Sequence, residues 1–207
     1  MRVRGLVVIA LSAAVMLFAF LPCAGQEKEK AKSKVKMTPP IVIDVSLSAL
    51  EKSHAVKKVD GRKFFVGEPD DEEDEDDSVG YTRTGIRTVS AIVCDPLPSE
   101  AVRLTLANAL AAQGLLAGSA KEASFVIDVA SDLKLTEDTR KLHQAVVAVL
   151  KIEVSVWDVG DPSRVKKFKM EAVGERKTFD TTKQAQTAAR EAVSTAVMEI
   201  LKSLDSL

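Results

Sequence analysis

Aromatic side chains, histidines and cysteines are scarce in this chain. Its 207 residues include one Trp, one Tyr, two His and two Cys. Sites that bind carbohydrate or stack nucleic-acid bases use aromatic side chains, and zinc sites need three or four closely spaced ligands. The formal net charge of −1 gives the whole chain no positive field that would attract nucleic acid. With only His54, in a predicted loop, and His143, at the start of a predicted strand, the composition argues against all three kinds of site.

Signatures of catalysis are also missing. Cys94 has no histidine near it in sequence, and a lone cysteine is most often a small buried hydrophobe. The chain contains no nucleophile elbow, P-loop or dinucleotide-binding glycine pattern. Asp128 and Asp132 share one side of a predicted strand, but they would lie about 13 Å apart, too far for a carboxylate dyad. We therefore predict that the protein is not an enzyme and has no catalytic, cofactor-binding or metal-binding residues.

Residues 1–25 have the layout of a secretory signal peptide. Two arginines precede a run without charge from Gly5 to Leu21, and small residues follow that run. We predict cleavage near Gly25, export across the inner membrane and a periplasmic location. One alternative is an uncleaved anchor, because this apolar run is at the short end of the roughly 17–25 residues that span a bilayer. The other is lipidation of Cys23, and in either case the membrane contact would run through the N-terminal segment.

The remaining chain divides into a tether and one domain. Residues 26–40, QEKEKAKSKVKMTPP, are rich in lysine and offer little to bury, and Pro39 and Pro40 prevent a helix from entering the next segment. We interpret 26–40 as a flexible, disordered tether; the alternative is a spacer that holds the domain away from a membrane. Residues 41–207 have a length that suits a single domain.

The most distinctive segment is an acidic loop at 68–78. Eight consecutive acidic residues, Asp70 to Asp77, follow Glu68 and Pro69. Adjacent negative charges repel one another and favour an extended run, and the loop has no glycine at the turn that a calcium-binding loop requires. We therefore predict a solvated loop. A weak calcium patch and a docking surface for a partner are the alternatives.

Alternating apolar and polar residues predict strands through most of the domain. The last three strands each have a single apolar face, and GDPS at 160–163 predicts a turn that joins the final two as a hairpin. The predicted strand segments are 41–50, 62–67, 81–95, 123–136, 142–160 and 164–175. The inward-facing residues predicted on the last three are Phe125, Ile127, Val129, Leu133, Leu135, Val146, Leu150, Ile152, Val154, Val156, Phe168, Met170 and Ala172.

Two segments, 96–114 and 180–207, predict amphipathic helices. In the first, Ser99 is the candidate N-cap and Gly114 the candidate terminator. Its predicted stripe is Val102, Leu106, Ala109 and Leu110, widened by Leu104. In the second, Thr181 and Gln184 have capping-box spacing, and the stripe is Ala185, Ala189, Ala192, Val193, Ala196, Ile200 and Leu204. Together the elements predict an α/β (α+β) two-layer sandwich in which two amphipathic helices cover a mostly antiparallel sheet.

The order of these elements resembles two families of envelope lipoproteins. The stretch DPLPSEAVRLTLANALAAQGLL, then the alternating ASFVIDVASDLKL and a long hairpin, are similar to YajG-type lipoproteins and to the auxiliary lipoproteins of ABC-type transport systems; VDGR at 59–62 resembles a step after their first strand. The similarity spans roughly residues 41–204. It implies an accessory or assembly role without enzymatic activity.

The sequence thus predicts an exported, non-enzymatic accessory protein of the bacterial cell envelope. It would bind a protein partner through one sheet face or edge, with no nucleic acid and no cofactor; its oligomeric state is left open. The alternative is a periplasmic protein that binds a small ligand or calcium through the acidic loop.

Overall fold

The described part of the chain folds into two sheets and two long helices. The computed structural model describes residues 35–50, 53–57, 61–68, 78–85, 88–138, 145–177 and 181–207. In chain order its elements are β1 (Lys36–Ile43), β2 (Phe64–Val66), β3 (Ser78–Gly85), β4 (Thr88–Cys94), α1 (Pro98–Ala112), a 3₁₀ turn (Ala120–Glu122), β5 (Phe125–Asp138), β6 (Ala145–Asp158), β7 (Val165–Lys177) and α2 (Thr181–Leu204). The predicted α+β sandwich is confirmed.

The larger sheet has four strands in the order β2-β5-β6-β7. Strands β5, β6 and β7 form an antiparallel meander, and the short β2 runs parallel to β5. Along each strand alternate residues enter the core, because successive side chains point to opposite faces. The residues predicted to face inward on these strands are buried or half-buried.

The smaller sheet has three strands in the order β1-β4-β3. Strand β4 pairs in parallel with β1 and forms an antiparallel hairpin with β3. The sequence predicted a single extended segment at 81–95 and one sheet for the whole domain, and both predictions need this correction. Alternation identifies a strand but not its neighbour, and β1 pairs with a strand about fifty residues further along the chain.

Strand β1 begins inside the segment predicted as a tether. Lys36 is its first residue, four positions before the predicted end of the tether, and the pairing with β4 shifts register between Thr38 and Ile41. Pro39 and Pro40 fall within that shift, where β1 is an edge strand. Proline lacks the N–H that a sheet ladder uses, so it is tolerated at such edges and irregularities.

Helix α1 ends as predicted but begins one residue before the predicted cap. Pro98 is its first residue and Leu97 its N-cap, whereas Ser99 is buried within the first turn, so the predicted cap is wrong. Proline suits the first helical position because the amide there has no partner within the helix. At the other end Gly114 has φ +71°, and the amides of Gly114 and Leu115 donate to the carbonyls of Ala111 and Leu110 at 2.9 Å, a Schellman arrangement.

Both helices cover the same face of the four-stranded sheet. The predicted stripes are buried, except that Leu104 is 39% exposed and belongs to the outer side of α1. Helix α2 approaches β7 closely at Gly174, where an added Cβ would lie 2.0 Å from the carbonyl oxygen of Ala188. Strand β3 approaches β5 at Gly80, where an added Cβ would lie 2.7 Å from the carbonyl oxygen of Leu135. The outer faces of both sheets have no helix over them in the described part of the chain.

Candidate functional site

Among the residues that the structure describes, the candidates singled out by the sequence do not form a cluster. Cys94 is buried in the smaller sheet, and burial raises the pKa of its thiol to about 12, which supports the prediction of an unreactive cysteine. His143 and the acidic run lie outside the described residues; of the predicted loop 68–78 only Glu68 and Ser78 are described. Within the described ranges no cluster of three or more His, Cys, Asp or Glu side chains could hold a metal ion. The calcium hypothesis stays a prediction.

His54 has a structural partner. Its Nε2 lies 2.8 Å from Oδ2 of Asp205, just after α2, and Oδ1 of Asp205 accepts a 2.8 Å hydrogen bond from the amide of Lys57. These contacts hold the pKa of Asp205 below its usual value, with the Lys57 amide as the largest cause. The Gln113 side chain accepts from the amide of Val56 and donates to the carbonyl of His54. The loop 53–57, which connects the two sheets in sequence, is therefore clamped to the ends of both helices.

The outer face of the four-stranded sheet is charged in its middle. Nζ of Lys169 lies 2.7 Å from a carboxylate oxygen of Glu153, and Nζ of Lys134 lies 3.3 Å from one of Asp132. The hydrogen bond from Lys169 is the largest cause of a lowered pKa at Glu153. These side chains are well exposed, and exposed ion pairs contribute little to stability. This part of the face is a solvated surface.

At one end of the same face the charged surface gives way to an apolar hollow. Trp157 lies opposite Val126 in the pairing of β6 with β5 and is 40% exposed. Val159, also 40% exposed, and Pro162 follow in the β6–β7 turn. The hollow measures about 430 Å³ and is lined by Ala120, Lys121, Val126, Asp128, Trp157, Asp158, Val159 and Pro162. We call it the Trp157 hollow; it combines an exposed aromatic side chain, an apolar floor and charged residues.

The turn beside the hollow is tied by local hydrogen bonds. The carboxylate of Asp158 accepts from the amide of Gly160 at 2.9 Å, and the carboxylate of Asp161 accepts from the hydroxyl of Ser163 at 2.6 Å. That hydroxyl is the largest cause of the lowered pKa of Asp161. The amide of Val159 also donates to the carbonyl of Ser124 at 3.0 Å, which joins the turn to the start of β5. The predicted turn at 160–163 is confirmed, and these bonds hold the hollow in shape.

The outer face of the three-stranded sheet is apolar over most of its width. On this side β4 contributes Val89, Ala91 and Val93, all half-buried. The side chains across from them are Met37, Val42 and Tyr81, which are 57%, 59% and 51% exposed, together with the exposed Arg83. We call this surface the small-sheet face. Its opposite side, with Ser90, Ile92 and Cys94, enters the core.

Two of the four sheet edges in the described structure carry residues that discourage strand pairing. Strand β7 is an edge of the larger sheet, and Lys166, Lys167 and Lys169 lie along it. Strand β1 is an edge of the smaller sheet and carries Pro39 and Pro40. Lysine and proline on an edge are two devices that discourage pairing with another strand.

Sequence reasoning missed both surfaces, although a signal existed for one. The alternation that turns Val156 inward also turns Trp157 outward, so the exposed tryptophan could have been read from β6. For the small-sheet face the signal is weaker. Strand β4 has apolar residues on both sides, and only the observed pairing shows which side is covered.

Comparisons with known proteins add similarity at the level of overall shape. No protein-family model matches the chain, and no curated protein matches it. A Xanthomonas campestris protein of the DUF330 family is 14% identical, with a TM-score of 0.47 over 83% of this chain and 99% of that one. A minor lipoprotein from Acinetobacter baumannii is 12% identical, with a TM-score of 0.48 over 72% of this chain and 95% of that one. At these values the likeness assigns no activity and no partner.

Within the described residues, neither helix is long and apolar enough to cross a bilayer.

Proposed function

We propose that this chain is an exported accessory protein of the bacterial cell envelope, without enzymatic activity, which binds a protein partner at the Trp157 hollow. The observation that carries the proposal is the exposure of the chain's single tryptophan. Export is supported by the signal-peptide layout of residues 1–25.

The hollow has the features of a small interface centre. Tryptophan is enriched among the residues that contribute most to binding between proteins, and such residues lie in pockets surrounded by polar side chains. Here Val126 and Val159 border the indole, while Lys121, Asp128 and Asp158 are the charged residues of the lining. An apolar side chain of a partner would displace water from the floor, and the charged residues would select its orientation.

The test is crosslinking in living cells. A photoreactive amino acid placed at Val159 is expected to give one discrete protein adduct, and the same amino acid placed at Val173 is expected to give none. Val173 is a matched control because it is exposed on the outer face of the same sheet but is not part of the lining. Identical adduct patterns at the two positions would contradict the proposal.

A second variant tests the role of the indole itself. Trp157→Ala should reduce the adduct formed from Val159 by about thirtyfold, since truncation of a central interface residue costs about 2 kcal/mol or more. Val173→Ala should leave the amount of that adduct unchanged. Thermal melting of both variants checks that the fold is intact, and cell fractionation checks export: recovery in the cytosol alone would argue against an envelope function.

A further inference from the structure

A second concave site lies on the helix side of the larger sheet, whereas the Trp157 hollow lies on the outer face. Helix α2 provides most of its lining, and the rest comes from Leu47 and Ala49, after β1, and from Arg176, near the end of β7. The site measures about 630 Å³, within the range of about 300–1,000 Å³ that is usual for small-ligand sites. We call it the Arg190 cleft, after an arginine that α2 contributes to it.

Two arginines of the Arg190 cleft are held in position by neighbouring carboxylates. Nε of Arg190 donates to the carbonyl oxygen of Asp44 at 3.0 Å, and its Nη2 donates to the carboxylate of the same residue. Nη1 of Arg176 lies 3.1 Å from Oε2 of Glu191. A guanidinium group has five N–H donors, so each arginine retains donors for a ligand. Because both groups are already positioned, a ligand would spend little free energy on ordering them.

The charges of the cleft match one anionic group. Its lining contains Arg176 and Arg190 against the single carboxylate of Glu191, and Oε2 of that carboxylate is shielded from solvent. Asp44 pairs with Arg190 from outside the lining. A ligand with one negative charge therefore suits this site, whereas a dianion would bring more negative charge than the two arginines can still compensate.

The remainder of the lining is partly apolar and partly hydroxyl-bearing. Leu47 and Met198 are half-buried apolar side chains at the cleft. Ser194 and Thr195 lie one turn of α2 beyond Arg190 and Glu191, and within the described part of the chain their hydroxyls bond to no other residue. This combination suits a ligand that carries a short apolar body beside its charged group.

We infer that the Arg190 cleft binds a small organic carboxylate whose apolar part contacts Leu47 and Met198. The planar guanidinium group matches the geometry of a carboxylate, since two parallel N–H donors can bond its two oxygens. The hydroxyls of Ser194 and Thr195 would donate to the same anionic group. The inference goes beyond the partner proposed for the Trp157 hollow and does not depend on it.

The same ion pairs also fix the segment after β1 to α2, but stability alone does not account for them. The four side chains of the two pairs are between about one third and one half exposed. Ion pairs at such exposure usually contribute less than about 1 kcal/mol. Two weak pairs beside a cleft of ligand size are better explained as a site in which the carboxylates position the arginines.

The methyl group of Met198 reports directly on occupancy of the cleft. The full-length protein, purified as its host leaves it after export, is labelled with carbon-13 at the methyl groups of its five methionines, and Met198→Leu identifies the signal. Hexanoate is expected to shift the Met198 signal in a saturable way. The signal of Met37, on the small-sheet face, is the internal control and should not move. Hexan-1-ol and hexylammonium, which have the same apolar chain without the negative charge, should leave both signals in place.

Charge variants then test the role of the arginines. Arg176→Gln should raise the Kd for hexanoate about tenfold, because the ligand loses charge-assisted hydrogen bonds. Arg164→Gln, an equal charge change at an exposed position just before β7, should change it less than twofold. Glu191→Gln should lower the Kd about threefold, since it removes the charge that competes for Arg176. A damaged fold would not produce such a gain in affinity.

Four results would overturn the inference. The first is the absence of a saturable shift with hexanoate, and the second is an equal shift with hexan-1-ol or hexylammonium, which would indicate apolar contact alone. The third is an equal affinity for inorganic phosphate, which would indicate unselective attraction of anions. The fourth is tighter binding of norleucine, which has the same carbon chain with an added ammonium group and would indicate a zwitterionic ligand.

Discussion

The two sheets of this protein present outer faces of opposite character. The four-stranded sheet is charged across its middle and has an apolar hollow around Trp157 at one end. The three-stranded sheet is apolar across its middle and carries the exposed Arg83 at one end. Both inner faces are buried in one core, so the difference does not arise from the needs of folding. It indicates that the two outer faces meet different surroundings.

The Trp157 hollow and the junction with the smaller sheet lie at different positions along β5. Trp157 pairs with Val126 near the start of β5, and β3 approaches β5 at Leu135. Nine residues of extended strand separate those positions, which is about 30 Å. The meander therefore separates the hollow from the junction with the smaller sheet by about that length.

The largest expected effect concerns the contact of the four-stranded sheet with α2. Gly174→Ala would place a Cβ 2.0 Å from the carbonyl oxygen of Ala188, so the helix backbone must move. Overpacking of this kind costs about 3 kcal/mol or more, which should lower Tm by roughly 6–12 °C in a chain of this length. Calorimetry of the variant and of the unmodified protein measures this decrease in Tm.

Gly160→Ala is the matched control for that substitution. Its nearest contact would be a side-chain oxygen of Asp158 at 3.4 Å, an ordinary separation, so Tm should change little. If Gly174→Ala lowered Tm no more than Gly160→Ala does, α2 would not pack as closely on β7 as the structure indicates.

The junction of the two sheets should be the next most sensitive place. Gly80→Ala would bring a Cβ within 2.7 Å of the carbonyl oxygen of Leu135 and 3.0 Å of its Cβ. We expect a loss of about 1–2 kcal/mol, smaller than at Gly174 because the clash is less severe. Gly118→Ala is the control, since its close neighbour is the flexible end of Glu122. A neutral Gly80→Ala would mean that the sheets are not held together there.

The stability that Asp205 provides by holding the 53–57 loop should depend on pH. The pKa of Asp205 is lowered in the folded protein, so its contribution to stability is present above the ordinary aspartate pKa and is lost as the pH falls through the folded value. Asp205→Asn should therefore lower Tm near neutral pH, and the difference from the unmodified chain should shrink in strong acid. Glu171→Gln, at an exposed carboxylate of β7, controls for general charge effects. A difference that does not change with pH would show that the carboxylate charge is not what clamps the loop.

The contrast between the faces also shows what sequence patterns can predict. The meander and both helices were predictable because local alternation and helical periodicity determine which side of each element is buried, as at Ile127 and Ala189. The division into two sheets was not predictable, because nothing in the sequence of β1 or of β4 indicates that these two strands pair. The alternation of β6 indicates that Trp157 faces outward, but the hollow around it forms only where three separate segments come together.

The smallest expected effects concern the exposed side chains that make the two faces differ. Val42→Thr on the smaller sheet and Lys134→Gln on the larger one should each change the free energy of unfolding by less than about 0.5 kcal/mol, as surface substitutions usually do. Denaturant unfolding at equilibrium resolves such differences. A loss above about 1.5 kcal/mol at Val42 would show that the small-sheet face belongs to the core. If neither substitution changes the free energy of unfolding appreciably, the apolar character of that face has no stabilising role. That result is expected of a surface that contacts something outside the chain.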